Sequence, residues 1–108
     1  MTRLPATARD GIVETPFGLL EAAPPSAGDL VVCVRPEAIR IGADGFSLGE
    51  ARVTDTAFFG THNRVHLVAD AVPDLTIVAY LAPAERVAEG DIVPLAADPA
   101  SIRVFPAR

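Results

Sequence analysis

Apolar positions along the chain come in short groups, and most of them alternate with polar ones at a period of two. Ala51 and Val53 take one side while Arg52 and Thr54 take the other. Val65, Leu67 and Ala69 oppose Arg64, His66 and Asp70, and Leu75, Ile77, Ala79 and Leu81 form a third such set. Successive strand side chains point to opposite faces, so this period predicts half-buried antiparallel strands. The segment from Leu30 to Val34 differs, with five apolar residues in a row, three of them valine. That pattern predicts a strand covered on both faces. Pro36 has no N–H to donate and ends the ladder there. Ile39-Arg40-Ile41 resumes the alternation before Gly42-Ala43-Asp44-Gly45 turns the chain.

The connections carry turn chemistry. Gly11-Ile12-Val13-Glu14 and Leu19-Leu20-Glu21 flank Thr15-Pro16-Phe17-Gly18, whose Pro and Gly suit a tight turn, so a hairpin is predicted at about 10–22. Residues 1–9 look like a short polar lead-in or linker, with 10–108 forming one domain. Ala22 to Gly28 contains Pro24-Pro25 and is a loop. Phe46-Ser47-Leu48 is a short extension, and Phe58-Phe59-Gly60 turns or bulges a strand. Pro83 to Glu89 is the best local helix candidate but offers less than two turns. Gly90-Asp91 turns into Ile92-Val93-Pro94-Leu95, and Ile102-Arg103-Val104-Phe105 closes the chain. Pro36 and Pro94 are expected to interrupt strands and leave sheet edges that a partner could cover. Several short strands at close spacing, with Gly and Pro between them, predict an all-β barrel or sandwich with at most one short helix.

Composition narrows the function classes. The 108 residues suit a single domain. The formal charge is −5, and all nine basic side chains are arginines scattered from Arg3 to Arg108, with no lysine. A nucleic-acid binder presents a basic face to neutralise phosphates, and a polybasic membrane patch fails for the same reason. No apolar run approaches the roughly 20 residues of a membrane-spanning helix, and Met1 to Asp10 has no apolar core of a signal peptide. The expectation is a soluble, intracellular chain. One cysteine, Cys33, makes neither an internal disulfide nor a thiolate metal site.

Candidate chemistry is sparse. His62 and His66 are four apart, a chelating spacing on a helix. On a strand, four residues span roughly 13 Å, too far to share one ion. Ser26, Ser47 and Ser101 stand in loops or beside Gly and Pro, without a nucleophile elbow. Cys33 lies in the valine-rich strand as a small buried hydrophobe. Asp29, Asp44, Asp74, Asp91 and Asp98 neighbour Gly, Pro or chain reversals, where turn chemistry accounts for them. No catalytic, cofactor-binding or metal residues are assigned. Arg35 and Glu37 flank the rigid Pro36 and are candidates for an interdomain or dimer contact, the plainer reading being a strand-end tie. Phe58 and Phe59 are the other candidates, with at least one expected to enter the core and the other free to anchor an interface.

Arg35-Pro36-Glu37 after a first strand, then Phe59-Gly60, a strand pair, the Gly90-Asp91 turn and the closing Val104-Phe105-Pro106 together resemble the C-terminal TOBE domain of ABC-importer ATPase subunits. The resemblance covers about residues 30–106. Gly11 to Leu20 looks like the opening hairpin of the ferric-iron type, with polyamine and sugar importers as alternatives. It implies an OB-like barrel that serves dimerisation of the ATPase subunits and regulation of uptake. The implied partners are a second copy, the ATPase domain of the same polypeptide and, indirectly, a membrane permease, at the cytoplasmic side of the inner membrane. ATP and Mg would belong to the parent protein. A P-loop needs a lysine to reach the phosphates, and this chain has none, so no ATPase activity and no cofactor is expected of these residues.

Two other classes compete. A related subgroup binds molybdate or other oxyanions between paired small barrels, but the charge of −5 does not favour anions. An OB-type nucleic-acid binder stacks bases on exposed aromatics in a positive groove. Five Phe, one Tyr and net acidity speak against it.

Overall fold

The computed structural model describes residues 2–20 and 24–107. The fold is all-β and consists of two five-stranded antiparallel sheets. In chain order the strands are β1 (Thr2–Arg9), β2 (Ile12–Thr15), β3 (Gly18–Leu20), β4 (Gly28–Val34), β5 (Ile39–Ile41), β6 (Phe46–Phe58), β7 (Asn63–Ala69), β8 (Val72–Leu81), β9 (Ile92–Ala97) and β10 (Arg103–Pro106). The first sheet runs β10-β4-β1-β2-β3 and the second β5-β9-β6-β7-β8. The end strands of the second sheet, β5 and β8, touch, and the 3-10 turn Pro36–Ala38 also packs on β8, so this sheet curls into an OB-like barrel. Thr2 Oγ1 accepts a hydrogen bond from the Val78 amide at 3.4 Å and ties β1 to β8. No helix among the described residues is long and apolar enough to cross a membrane.

The period-two reading of the second sheet holds residue by residue. Ala51, Val53, Val65, Leu67, Ala69, Ile77, Ala79 and Leu81 are buried in one apolar cluster, while Arg52, Asp70 and Tyr80 face out. Strand register puts Leu67 between Val53 and Ile77, so three adjacent strands contribute to one core layer. The predicted hairpin is present, with Val13↔Leu20 and Thr15↔Gly18 paired around Pro16-Phe17. Thr15 Oγ1 closes it by donating to the Gly18 carbonyl at 2.8 Å and accepting from the Phe17 amide at 3.1 Å. Glu21 and Ala22, at the far end of the predicted hairpin, lie outside the described residues.

Five expectations require correction. Residues 2–9 are not a lead-in: they form β1, which sits between β4 and β2 and buries Thr2, Leu4 and Ala6. Its alternation is real but built from small and polar residues around Pro5. β2 pairs with β1 only from Thr7 to Arg9, so Pro5 has a strand on one side alone, the edge-like setting in which Pro is tolerated. β4 is covered on one face, not two: Leu30, Val32 and Val34 are buried, whereas Val31 and Cys33 are half-buried. Phe46-Ser47-Leu48 is no short extension but the start of the 13-residue β6, which takes β9 and then β7 as neighbours through register shifts at Ser47/Gly49 and Val53/Asp55.

Pro83 to Glu89 is not helical. So short a helix cannot offset its nucleation cost, and strand-end side chains claim its backbone instead. Asn63 Nδ2 donates to the Glu85 carbonyl at 2.9 Å, and Asp91 Oδ2 accepts from the Ala88 amide at 2.9 Å. Finally, Pro36 and Pro94 create no sheet edge. Pro36 is buried in its 3-10 turn, and Pro94 lies in β9, an inner strand. β5 stops pairing at Ile41↔Leu95, so the missing N–H of Pro94 falls beyond that ladder, while its carbonyl accepts from Gly42 at 2.9 Å.

A second 3-10 turn, Pro99–Ser101, joins β9 to β10 and is capped by Asp98. Oδ1 accepts from the Ala100 amide at 3.1 Å, and Oδ2 lies 3.7 Å from Arg40 Nη2 on β5. The ion pair is solvent-exposed and contributes little. Asp98→Ala is therefore expected to cost about 1 kcal/mol through the cap, and Asp98→Asn much less because the acceptor remains. Urea unfolding of the two variants checks the ordering.

Candidate functional site

The four sequence-nominated residues fall on two separate turns. Arg35 precedes the 3-10 turn Pro36–Ala38 in extended conformation, and its carbonyl accepts from the Ala38 amide at 3.0 Å. Pro36 and Ala38 are buried while Arg35 and Glu37 are exposed. The turn is thus anchored by its apolar members and displays two opposite charges on a stiff backbone. None of the ion pairs or side-chain hydrogen bonds among the described residues uses Arg35 or Glu37.

Phe58 and Phe59 close β6 at the turn into β7, and the expectation that one enters the core fails: they are 63% and 52% exposed. Phe58 follows the last alternating positions of β6, and the turn carries Phe59 onto the outer surface. There Phe59 stacks on His62 with centroids 5.4 Å apart and planes at 21°, His62 packs against Tyr80 at 4.4 Å, and the Arg64 guanidinium stands 4.9 Å over the Phe59 ring. Thr61 Oγ1 lies 3.0 Å from His62 Nδ1. Sequence reading missed this aromatic-cationic cluster, because Tyr80 reaches it only through the β7–β8 register that pairs it with Arg64.

The cluster also accounts for the histidines. His62 is an aromatic partner in a turn, and His66 faces outward on β7 opposite Asp55. Among the described residues no group of three or more His, Cys, Asp or Glu side chains is placed to hold a metal ion.

A shallow depression of about 680 Å³ lies on the outer face of the first sheet, lined among others by Arg3, Pro5, Thr7, Glu14, Asp29 and Val31. One guanidinium against two carboxylates is a poor oxyanion site, since such sites present backbone N–H groups or cations. The four nominated residues are thus exposed side chains carried on a strand end and turns.

Residues 32–105 match the model of the TOBE domain family. No curated protein matches the chain.

Proposed function

Because the chain belongs to the TOBE domain family, we propose that it is the accessory, regulatory domain of an ABC-importer ATP-binding subunit. Domains of this family are typically accessory or regulatory parts of ABC-transporter ATPases, or belong to molybdate-binding proteins. The observation that carries the choice between them is the character of the surface. Opposed charges at Arg35 and Glu37 on a stiff turn and the exposed Phe59 cluster suit protein contact, while the 680 Å³ depression, lined by Arg3 against Glu14 and Asp29, suits no oxyanion.

In this role the domain contributes no step of hydrolysis. The sequence has no lysine and hence no P-loop lysine, so ATP and Mg belong to the ATPase domain of the parent polypeptide. Arg35 offers that domain a bidentate guanidinium and Glu37 a carboxylate, both held by the buried Pro36 with little entropy to lose on docking. The transported solute we favour is iron(III), from the likeness of the Thr15-Pro16-Phe17-Gly18 hairpin to that importer type.

The test is the size and location of the native polypeptide, detected with an antibody against this domain in cells that express it. A band several times heavier than 11.3 kDa, released from membranes together with a permease, is the expected result. A soluble band near 11.3 kDa overturns the proposal.

A further inference from the structure

The tip of the β6–β7 hairpin gathers exposed aromatic groups and cations on both of its sides. The Phe59 amide donates to the His62 carbonyl at 3.0 Å and closes the turn tightly. Strand register then separates the two sides. Ala57, Arg64 and Tyr80 form one outward row across β6, β7 and β8, and Phe59 joins it by stacking on His62 and carrying the Arg64 guanidinium. Phe58 shares the other side with Thr56 and Val65. On that side a cavity of about 200 Å³ opens between the hairpin and segment 83–89, lined by Thr56, Phe58, Asn63, Val65, Arg86 and Val87. Its walls are held in place. Val65 is fully buried, Val87 packs on the core, and Asn63 pins the segment through the Glu85 carbonyl at 2.9 Å.

Volume limits what this cavity can take. Pockets for cofactors and drug-sized ligands run from roughly 300 Å³ upwards, so this one suits a single aliphatic side chain. Charge selects the neighbours of that side chain. The sequence has 14 carboxylates, yet none falls between Thr56 and Ala69, the stretch that holds His62, Arg64 and His66. Asp55 lies opposite His66 and Glu85 sits on the covering segment. Neither makes an ion pair with Arg64 or Arg86 among the described residues, where the pairs are Arg9–Glu14 and Arg40–Asp98. Each side of the hairpin thus offers an arginine beside an exposed phenylalanine, and neither arginine has a carboxylate partner there.

We propose that this tip docks an acidic segment of a protein partner, one in which an aliphatic side chain stands among carboxylates. The aliphatic group enters the cavity against Phe58 and Val87, and the carboxylates beside it pair with Arg86 and Arg64. Guanidinium groups bind carboxylates through two parallel hydrogen bonds, and aromatic and arginine side chains are the usual anchors of interfaces. Single-stranded nucleic acid fits less well, because its bases need free ring faces. Here Phe59, His62 and Tyr80 are packed on one another and Arg64 stands over Phe59. A long polyanion is also repelled by a chain of charge −5, whereas a short acidic segment needs only the two arginines. The Phe59 cluster, which the accessory-domain reading takes as a protein contact, thereby receives a partner chemistry. The docking rests on that reading to this extent and on no particular transported solute.

Fluorescence anisotropy of the full chain with labelled peptides tests it. The probe is a short peptide with one leucine between paired glutamates, and its controls carry lysine for glutamate or glycine for leucine. The acidic leucine peptide is expected to bind with a dissociation constant of roughly 10–100 μM, as suits a small contact, and each control about tenfold more weakly or worse. Arg86→Glu and Arg64→Glu are each expected to raise the dissociation constant about tenfold. Phe58→Ala weakens the leucine peptide but leaves the glycine control unchanged. Melting curves show that each variant is folded, and Arg86→Gln, which removes the charge without reversing it, gives an intermediate loss. Backbone amide shifts in heteronuclear NMR should move at 58–64 and 85–87. No saturable binding up to millimolar peptide, equal binding of the lysine control, or shifts confined to other strands overturns the proposal. So does tighter binding of single-stranded oligothymidylate that the same variants abolish, which makes the tip a nucleic-acid site. None of these outcomes alters the size of the native polypeptide, which decides the accessory-domain role separately.

Discussion

Replacing Gly45 by alanine is expected to destabilise the protein by about 3 kcal/mol, whereas the same change at Gly18 costs about 1 kcal/mol. Both glycines sit at nearly the same backbone angle, φ +117° and +120°, where side chains are strained. They differ in what lies beyond. A Cβ at Gly18 meets nothing within 4 Å, but at Gly45 it would stand 2.5 Å from the Ala97 carbonyl oxygen, 3.3 Å from its carbon and 3.4 Å from Pro99. That oxygen is backbone of β9, held by β5 through Ile39↔Ala97 and by β6 through Phe46↔Ala97, so it cannot rotate away as a side chain would. The turn from β5 to β6 folds tightly over the end of β9 because Gly45 has no side chain. The pair of variants separates the two contributions: backbone strain is common to both, and only Gly45→Ala adds the clash. Urea unfolding with an unchanged m-value reads the difference directly. Equal losses for the two variants would mean that the turn relaxes away from β9.

The strands of the second sheet were legible from the sequence because each buries one face, and burial of one face is what writes a period of two. β1 was not legible for the complementary reason. Its inward residues are Thr2, Leu4 and Ala6, too small and mixed to stand out, and Pro5 argues against a strand unless one knows that β2 leaves that stretch unpaired. The valine run of β4 misled in the other direction. Val31 and Cys33 are only half-buried, on a face that no second layer of strands among the described residues covers, so the continuous apolar run did not mark a strand covered on both faces. The candidate contacts were half legible. Pro36 announces a rigid display of Arg35 and Glu37, and both are indeed outside. The stack of Phe59, His62 and Tyr80 depends on which residues lie opposite across strands. That is fixed by turn lengths and bulges, such as the shift between Val53 and Asp55, and no single segment encodes it.

Leu67→Ala is expected to cost about 3–4 kcal/mol, a large share of the total stability of a domain this size. Leu67 is 1% exposed and lies in register between Val53 on β6 and Ile77 on β8, themselves fully buried. Its loss leaves a void framed by three strands whose backbones are locked by hydrogen bonds and cannot close on it. Leu67→Met nearly conserves volume and is expected to cost less than about 1.5 kcal/mol. Thermal melting separates the two, with a fall of roughly 15 °C or more for alanine, taking about 4–8 °C per kcal/mol.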